Sequence, residues 1–271
     1  MDKWGCGVSK DQPPEEASAS MAPDNPEKIS VYQQVEQEGL SLGSSFCFHC
    51  QEGLSCFNQC CRRTPTIILS PYDILRLKQG LGLKSGEFLR RYTLREIEEW
   101  SNLPLVFIDP HGAEGGGCPF IGPQGCQVYA HRPAACRLFP ITMGSRLTEQ
   151  GIKDYYFCRQ LDYCQGFNAE VQWTVESWMA NQGFAEYAQG RQEWLEIILT
   201  RGMQGPSGVD APVQNLFATL AYDLDTFRTL LDQPGFLKGC GLRGKARDYL
   251  HLDDPALLEV GYKCLQELLL G

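Results

Sequence analysis

The chain has 271 residues and a mass of 30.4 kDa, room for one large domain or two small ones at roughly 150 residues per domain. Its 43% hydrophobic and 11% aromatic content is that of a folded globular protein, and no apolar run approaches the roughly 20 residues of a membrane helix. Lys and Arg total 24 against 33 Asp and Glu, a net charge of -9, which argues against nucleic acid and anionic membrane surfaces as partners. The outlying number is 13 cysteines. Met1-Asp2-Lys3-Trp4-Gly5-Cys6 lacks the apolar core of a secretory signal, so a cytoplasmic, reducing location is expected, where cysteines serve more often as metal ligands or redox groups than as disulfides.

Residues 1–43 combine Pro13, Pro14, Pro23 and Pro26 with polar residues and no sustained period, and read as a disordered or loosely attached extension. A cysteine-rich segment follows over 44–170, and a helical region over 171–271. Within the first, Ser70-Pro71-Tyr72-Asp73 has the cap serine, first-position proline and third-position acid of a helix start, and the helix is expected to end near Gly80. A second short helix is expected over Glu87 to Tyr92, and Leu105-Val106-Phe107-Ile108 before Asp109-Pro110 reads as a buried strand. The region around the later cysteines is rich in Gly and Pro and is expected to be mostly loop. Beyond it, Val171, Val175, Trp178 and Met179, then Phe184, Tyr187, Trp194 and Ile198, recur at helical spacing. Leu216, Leu220, Leu224, Phe227 and Leu231 form the clearest amphipathic stripe, and Asp254-Pro255 opens a last helix with Leu257, Leu258, Leu265, Leu268 and Leu269 on one face. The expected fold is therefore α+β or mainly α, a loop-rich cysteine domain beside C-terminal helices.

The cysteines fall in two groups, Cys47, Cys50, Cys56, Cys60 and Cys61, then Cys118, Cys126, Cys136, Cys158 and Cys164. Thiolates are soft, anionic ligands suited to zinc and to iron, and four from short loops complete a tetrahedral site. This density points to metal without naming it, because neither a pair of CxxC knuckles nor a ferredoxin run is present. Cys60 and Cys61, if extended, would point to opposite sides and serve neighbouring centres. Cys264 lies on the apolar face of the last helix and reads as core, while Cys240 and Cys6 have no partner at ligand spacing. His49 is a further candidate ligand. His131, beside Arg132, is expected on a surface turn and Tyr129 beside the cluster.

Phe48-His49-Cys50, Cys56-Phe57-Asn58-Gln59-Cys60-Cys61-Arg62, Ser70-Pro71-Tyr72-Asp73, Cys118-Pro119-Phe120, Gly125-Cys126-Gln127-Val128-Tyr129, Arg132-Pro133-Ala134-Ala135-Cys136-Arg137 and Cys164-Gln165-Gly166-Phe167 together resemble the YkgJ-type cysteine-cluster family, the CxxCxxCC proteins described as zinc- or iron-chelating. The resemblance runs from residue 48 to about 190. Carried over residue by residue, it implies eight metal ligands: Cys50, Cys56, Cys60, Cys61, Cys118, Cys126, Cys136 and Cys164, with Cys47 and Cys158 as extras. The five residues between Cys50 and Cys56 depart from the family spacing, which leaves Cys47 or His49 as substitutes for Cys50. Arg132 and Arg137 bracket Cys136 and are candidates for compensating the charge of a thiolate cofactor or holding an anion.

The resemblance implies an iron-sulfur cluster or bound zinc or iron ions as cofactor. Two function classes follow. In one the protein is an enzyme, an iron-sulfur oxidoreductase or a methyltransferase related to the flagellin lysine N-methylases. In the other it is a structural, zinc-stabilised binding module whose C-terminal helices meet a protein partner.

Overall fold

The computed structural model describes residues 39–63, 67–112, 116–244, 248–249 and 252–271. Most of the expected N-terminal extension, up to residue 38, lies outside them. The described chain forms two compact units, each built from two stretches: residues up to Gln59 with Ala135–Ala185, and Cys60–Ala134 with Glu186–Gly271. The cysteine-rich segment and the helical region of the linear reading are thus each shared between both units.

In the first unit the Ser45–Cys47 strand pairs antiparallel with Gln172–Thr174, Phe46 opposite Trp173. Leu40 bridges to Tyr156, so the chain is anchored from residue 40 onward. The Ile141–Thr148 and Gly151–Cys158 strands form a long hairpin where loop was expected. Most of its residues are half-exposed, so the two-residue alternation of its faces is weak beyond Ile141–Gly144. Thr174 caps the Val175–Asn181 helix, its side chain accepting from Ser177 N at 3.0 Å; Val171, expected on a helix, lies before the strand and is exposed. The core is aromatic: Phe48 meets Phe139, Phe167 and Trp178 edge-on at centroid distances of 5.8, 5.2 and 5.6 Å, a geometry favoured by the ring quadrupoles.

The second unit is larger and mixed. Its sheet runs Ile68–Leu69, Pro104–Ile108, Thr93–Ile97, all antiparallel, and the central strand is the one read from Leu105 to Ile108. Ser70 starts the Pro71–Leu81 helix as expected: its Oγ accepts from Asp73 N at 3.1 Å, while Asp73 accepts from Ser70 N at 2.8 Å. Gly82, at φ 65°, ends the helix in the left-handed conformation that glycine adopts without steric cost. The stripe from Leu216 to Leu231 spans two helices, Ala211–Tyr222 and Leu224–Leu231. Asp223 breaks it, with φ -111° and ψ 71°, and accepts from Thr226 N to cap the second helix. The break keeps both halves facing one core, where Leu77, Phe88, Ile197, Phe217, Leu220, Phe227, Leu257 and Leu265 are fully buried. The expected fold class holds: the described chain is α+β, with small antiparallel sheets.

Candidate metal centre

Four of the cysteines meet in the second unit. Cys60 and Cys61 lie in the single-turn Gln59–Arg62 helix, their sulfurs 3.9 Å apart. The expectation that they diverge is overturned, because successive side chains on a helical turn are about 100° apart rather than opposed. Cys118 N donates to Cys61 O at 2.9 Å. That approach depends on Gly117, at φ 96°, where an added Cβ would sit 3.0 Å from Cys61 O and 3.1 Å from Arg62 Cα. Ile121 N donates to Cys118 O, and the short ladder that follows returns Cys126 opposite Ile121. A hydrogen bond from Cys61 brings Cys60 from the ordinary thiol value of 9.0 down to about 7. Burial pushes Cys118 up to about 11, with negative charge on Cys126 and Cys60 adding to the effect. Burial also raises Cys126, opposed by the nearby Arg132 cation.

Arg132 is therefore close enough for its charge to act on Cys126. Its guanidinium donates to Tyr129 O at 2.7 Å and lies 3.9 Å from the Tyr129 ring centroid. Tyr129, expected beside the cluster, is 63% exposed and stacks on that arginine. Asp73 is a positioning residue that the sequence marked only as a helix-start acid. Fully buried, it accepts from Ser70 Oγ at 2.7 Å and, through its other oxygen, from Ala134 N at 2.7 Å. One carboxylate thus joins the Ser-Pro-Tyr-Asp segment to the end of the segment carrying Cys126 and Arg132. His131 ends the single-turn Tyr129–His131 segment, none of whose residues is fully buried, and its ring packs so closely on Gly80 that a Cβ there would be 2.4 Å from His131 Cδ2.

The remaining candidates lie in the first unit. Cys56 Sγ accepts from Gln165 N at 3.2 Å. Cys164, buried, shares a hydrophobic cluster with the partly buried Cys158, whose thiol is pushed up to about 11 by burial and then by Cys164. Cys50 is exposed, but the segment before it is fixed, with Phe48 N donating to Val171 O and His49 N to Gly166 O. Cys136 is half-buried on the Ala134–Leu138 helix. Cys47 is buried in its strand and disulfide-bonded, which withdraws it as a substitute for Cys50. His49 is exposed, its Nε2 2.9 Å from Gln51 Oε1. Arg137 is buried and donates to Gln182 O at 2.8 Å, a bond that ties down the end of the Val175–Asn181 helix.

The eight expected ligands thus divide four and four: Cys60, Cys61, Cys118 and Cys126 in one unit, Cys50, Cys56, Cys136 and Cys164 in the other. Among the described residues, no three Cys, His, Asp or Glu side chains form a group that could hold a metal ion as they stand. The donor chemistry fits zinc or iron. Outside both sets, Cys240 shares a hydrogen bond with Cys264 inside the second core. Cys264 is core as expected, but Cys240 is not solitary, a pairing that their separation in the chain conceals.

Comparison with protein families matches residues 49–165 to the CxxCxxCC family, described as a "Putative zinc- or iron-chelating domain". This is the family that the cysteine and Arg-Pro segments resemble, and it supports a metal-binding cysteine cluster. Comparisons with curated proteins and with solved structures gave no match.

Proposed function

We propose that the protein chelates zinc or iron through Cys60, Cys61, Cys118 and Cys126, and that this centre holds the cysteine loops of the second unit in place. The observation that carries this reading is the 3.9 Å separation of the Cys60 and Cys61 sulfurs, with Cys118 bonded to the Cys61 backbone. Two thiolates on one tetrahedral ion, with bonds of about 2.3 Å, are about 3.8 Å apart. In a cubane each iron carries one cysteine, so a side-by-side pair favours a shared ion over a four-iron cluster. Four thiolates saturate such an ion and leave no open position for substrate, which supports the structural reading over the methyl-transfer reading. Arg132 offsets part of the negative charge that four thiolates bring.

Metal and acid-labile sulfide analysis of the anaerobically purified chain tests this. Bound zinc or iron without sulfide is expected, and Cys118→Ser should lose about one ion per chain. Stoichiometric sulfide with visible absorption would replace this reading by an iron-sulfur one.

A further inference from the structure

We propose that Cys240 and Cys264 of the second unit form a redox-active thiol pair that reduces hydrogen peroxide and closes to a disulfide, Cys240 as nucleophile and Cys264 as resolving thiol. Neither residue falls within the matched segment 49–165, and the pair does not depend on the metal-chelating reading.

Two elements of one unit bring the thiols together. Cys240 follows the short Phe236–Gly239 helix, its amide donating to Phe236 O at 3.1 Å, and Leu242 N donates to Leu237 O at 2.8 Å to close the turn. Cys264 lies in the Asp254–Leu270 helix, and the two thiols are hydrogen-bonded to one another. A separate contact fixes the same approach. A Cβ on Gly241, at φ 65°, would sit 3.3 Å from Glu267 Cδ, so the backbone beside Cys240 lies against the helical turn that follows Cys264. Both cysteines belong to the core, but Cys264 is fully buried whereas Cys240 keeps 9% exposure.

That asymmetry assigns the roles. The Cys264 thiol donates to the Cys240 sulfur, which lowers Cys240 below the ordinary value of 9.0 against the opposing effect of burial and raises Cys264. The sulfur favoured as thiolate is the one that solvent reaches. Apolar packing explains a buried cysteine; it does not explain two from separate elements that share a proton. In the reaction the Cys240 thiolate attacks one peroxide oxygen, the O–O bond breaks, and hydroxide leaves and takes up a proton to become water. Cys264 then attacks the sulfur of the resulting sulfenic acid, the S–O bond breaks, and the departing hydroxide takes the Cys264 proton. Two thiols are oxidised to one disulfide while one peroxide is reduced to two waters. The bond fastens the last helix to the Phe236–Gly239 turn, and a dithiol reductant reopens it.

The test treats the full-length, zinc-reconstituted chain with about one equivalent of hydrogen peroxide, blocks the remaining thiols with N-ethylmaleimide and maps tryptic peptides by mass spectrometry. Cleavage after Lys238, Arg243 and Lys263 places the two cysteines in peptides 239–243 and 264–271. These should be recovered joined, and should separate on treatment with dithiothreitol. Cys264→Ser, which lacks the resolving thiol, should leave a sulfenic acid on Cys240 that dimedone labels. Both peptides recovered separately and carrying N-ethylmaleimide, while other cysteines are oxidised and zinc is released, overturn the proposal; this readout needs no variant to fold. Dimedone on Cys264 in Cys240→Ser, with none on Cys240 in Cys264→Ser, overturns the assignment of roles. A chain that binds no zinc defeats the metal reading alone, because the joined peptides are expected with or without metal.

Discussion

Asp73 carries more of the site than its place in a helix start suggests. A buried carboxylate is costly unless hydrogen-bonded, and burial raises its pKa while bonds from Ser70 and Ala134 and the Arg191 cation oppose the rise. Each oxygen has its own donor, with Ser70 N and Oγ on one and Ala134 N on the other. An amide in its place presents one oxygen and turns its NH2 toward a donor. Asp73→Asn should therefore destabilise the protein by about 1–3 kcal/mol, seen as a lower urea midpoint. If Asp73 positions the Cys126 segment, the variant should also release metal faster to a chelator, an effect that loss of stability elsewhere in the core would not produce.

Among the helices of the second unit, charge fixes what the apolar faces leave free to slide. Lys78, on the Pro71–Leu81 helix, is 5% exposed. Its Nζ is 2.7 Å from Asp254 Oδ2 on the last helix and 3.6 Å from Asp225 Oδ2 on the Leu224–Leu231 helix. Arg228 adds a second bond to Asp254 at 2.9 Å, and Ser85 N donates to Asp225 at 2.6 Å. Burial raises both carboxylates, but these bonds outweigh it and hold Asp225 and Asp254 below the ordinary 3.8. A carboxylate lowered in the folded state contributes stability above its unfolded pKa and loses it as pH falls through the folded value. Thermal melting should thus drop steeply below pH 3.8. Lys78→Met should cost about 1–2 kcal/mol at neutral pH, less than a fully buried pair because both acids retain some solvent and Asp254 keeps Arg228. Melting curves of the two proteins should converge as pH falls; a gap that stays constant from neutral pH to pH 3 would show that Lys78 acts by packing alone.

At the scale of the whole molecule, two kinds of stabilisation coexist. The second unit has a continuous apolar core reaching from Leu69 through Phe88 and Phe217 to Leu265, which needs no metal to exclude water. Its cysteine loops have short or single-turn elements, and the first unit has a smaller core. Removing the metal with an added chelator should accordingly speed amide hydrogen exchange around residues 60–63 and 117–128, while the Ala211–Tyr222 and Asp254–Leu270 helices keep their protection. Equal protection of the cysteine loops with and without metal would rule out a stapling role.

What the sequence determined by itself was local. Caps, prolines and apolar stripes placed the helices from Ser70 and Asp254, and a short apolar run placed the strand at Leu105, because those signals act within a few residues of one another. Cysteine density and the Arg-Pro segments likewise identified the kind of site. The hairpin from Ile141 to Cys158 escaped because most of its residues are half-exposed, which blurs the contrast between its faces. Only tertiary structure decided how the cysteines divide: Cys60 and Cys61 share one side of a turn, and Cys118 reaches them across more than fifty residues through a glycine that permits contact. Cys56 and Cys60, near neighbours in the chain, fall in different units, and Cys240 finds Cys264. Spacing along a chain limits which side chains can meet, but the packing of distant elements selects the pairs that do.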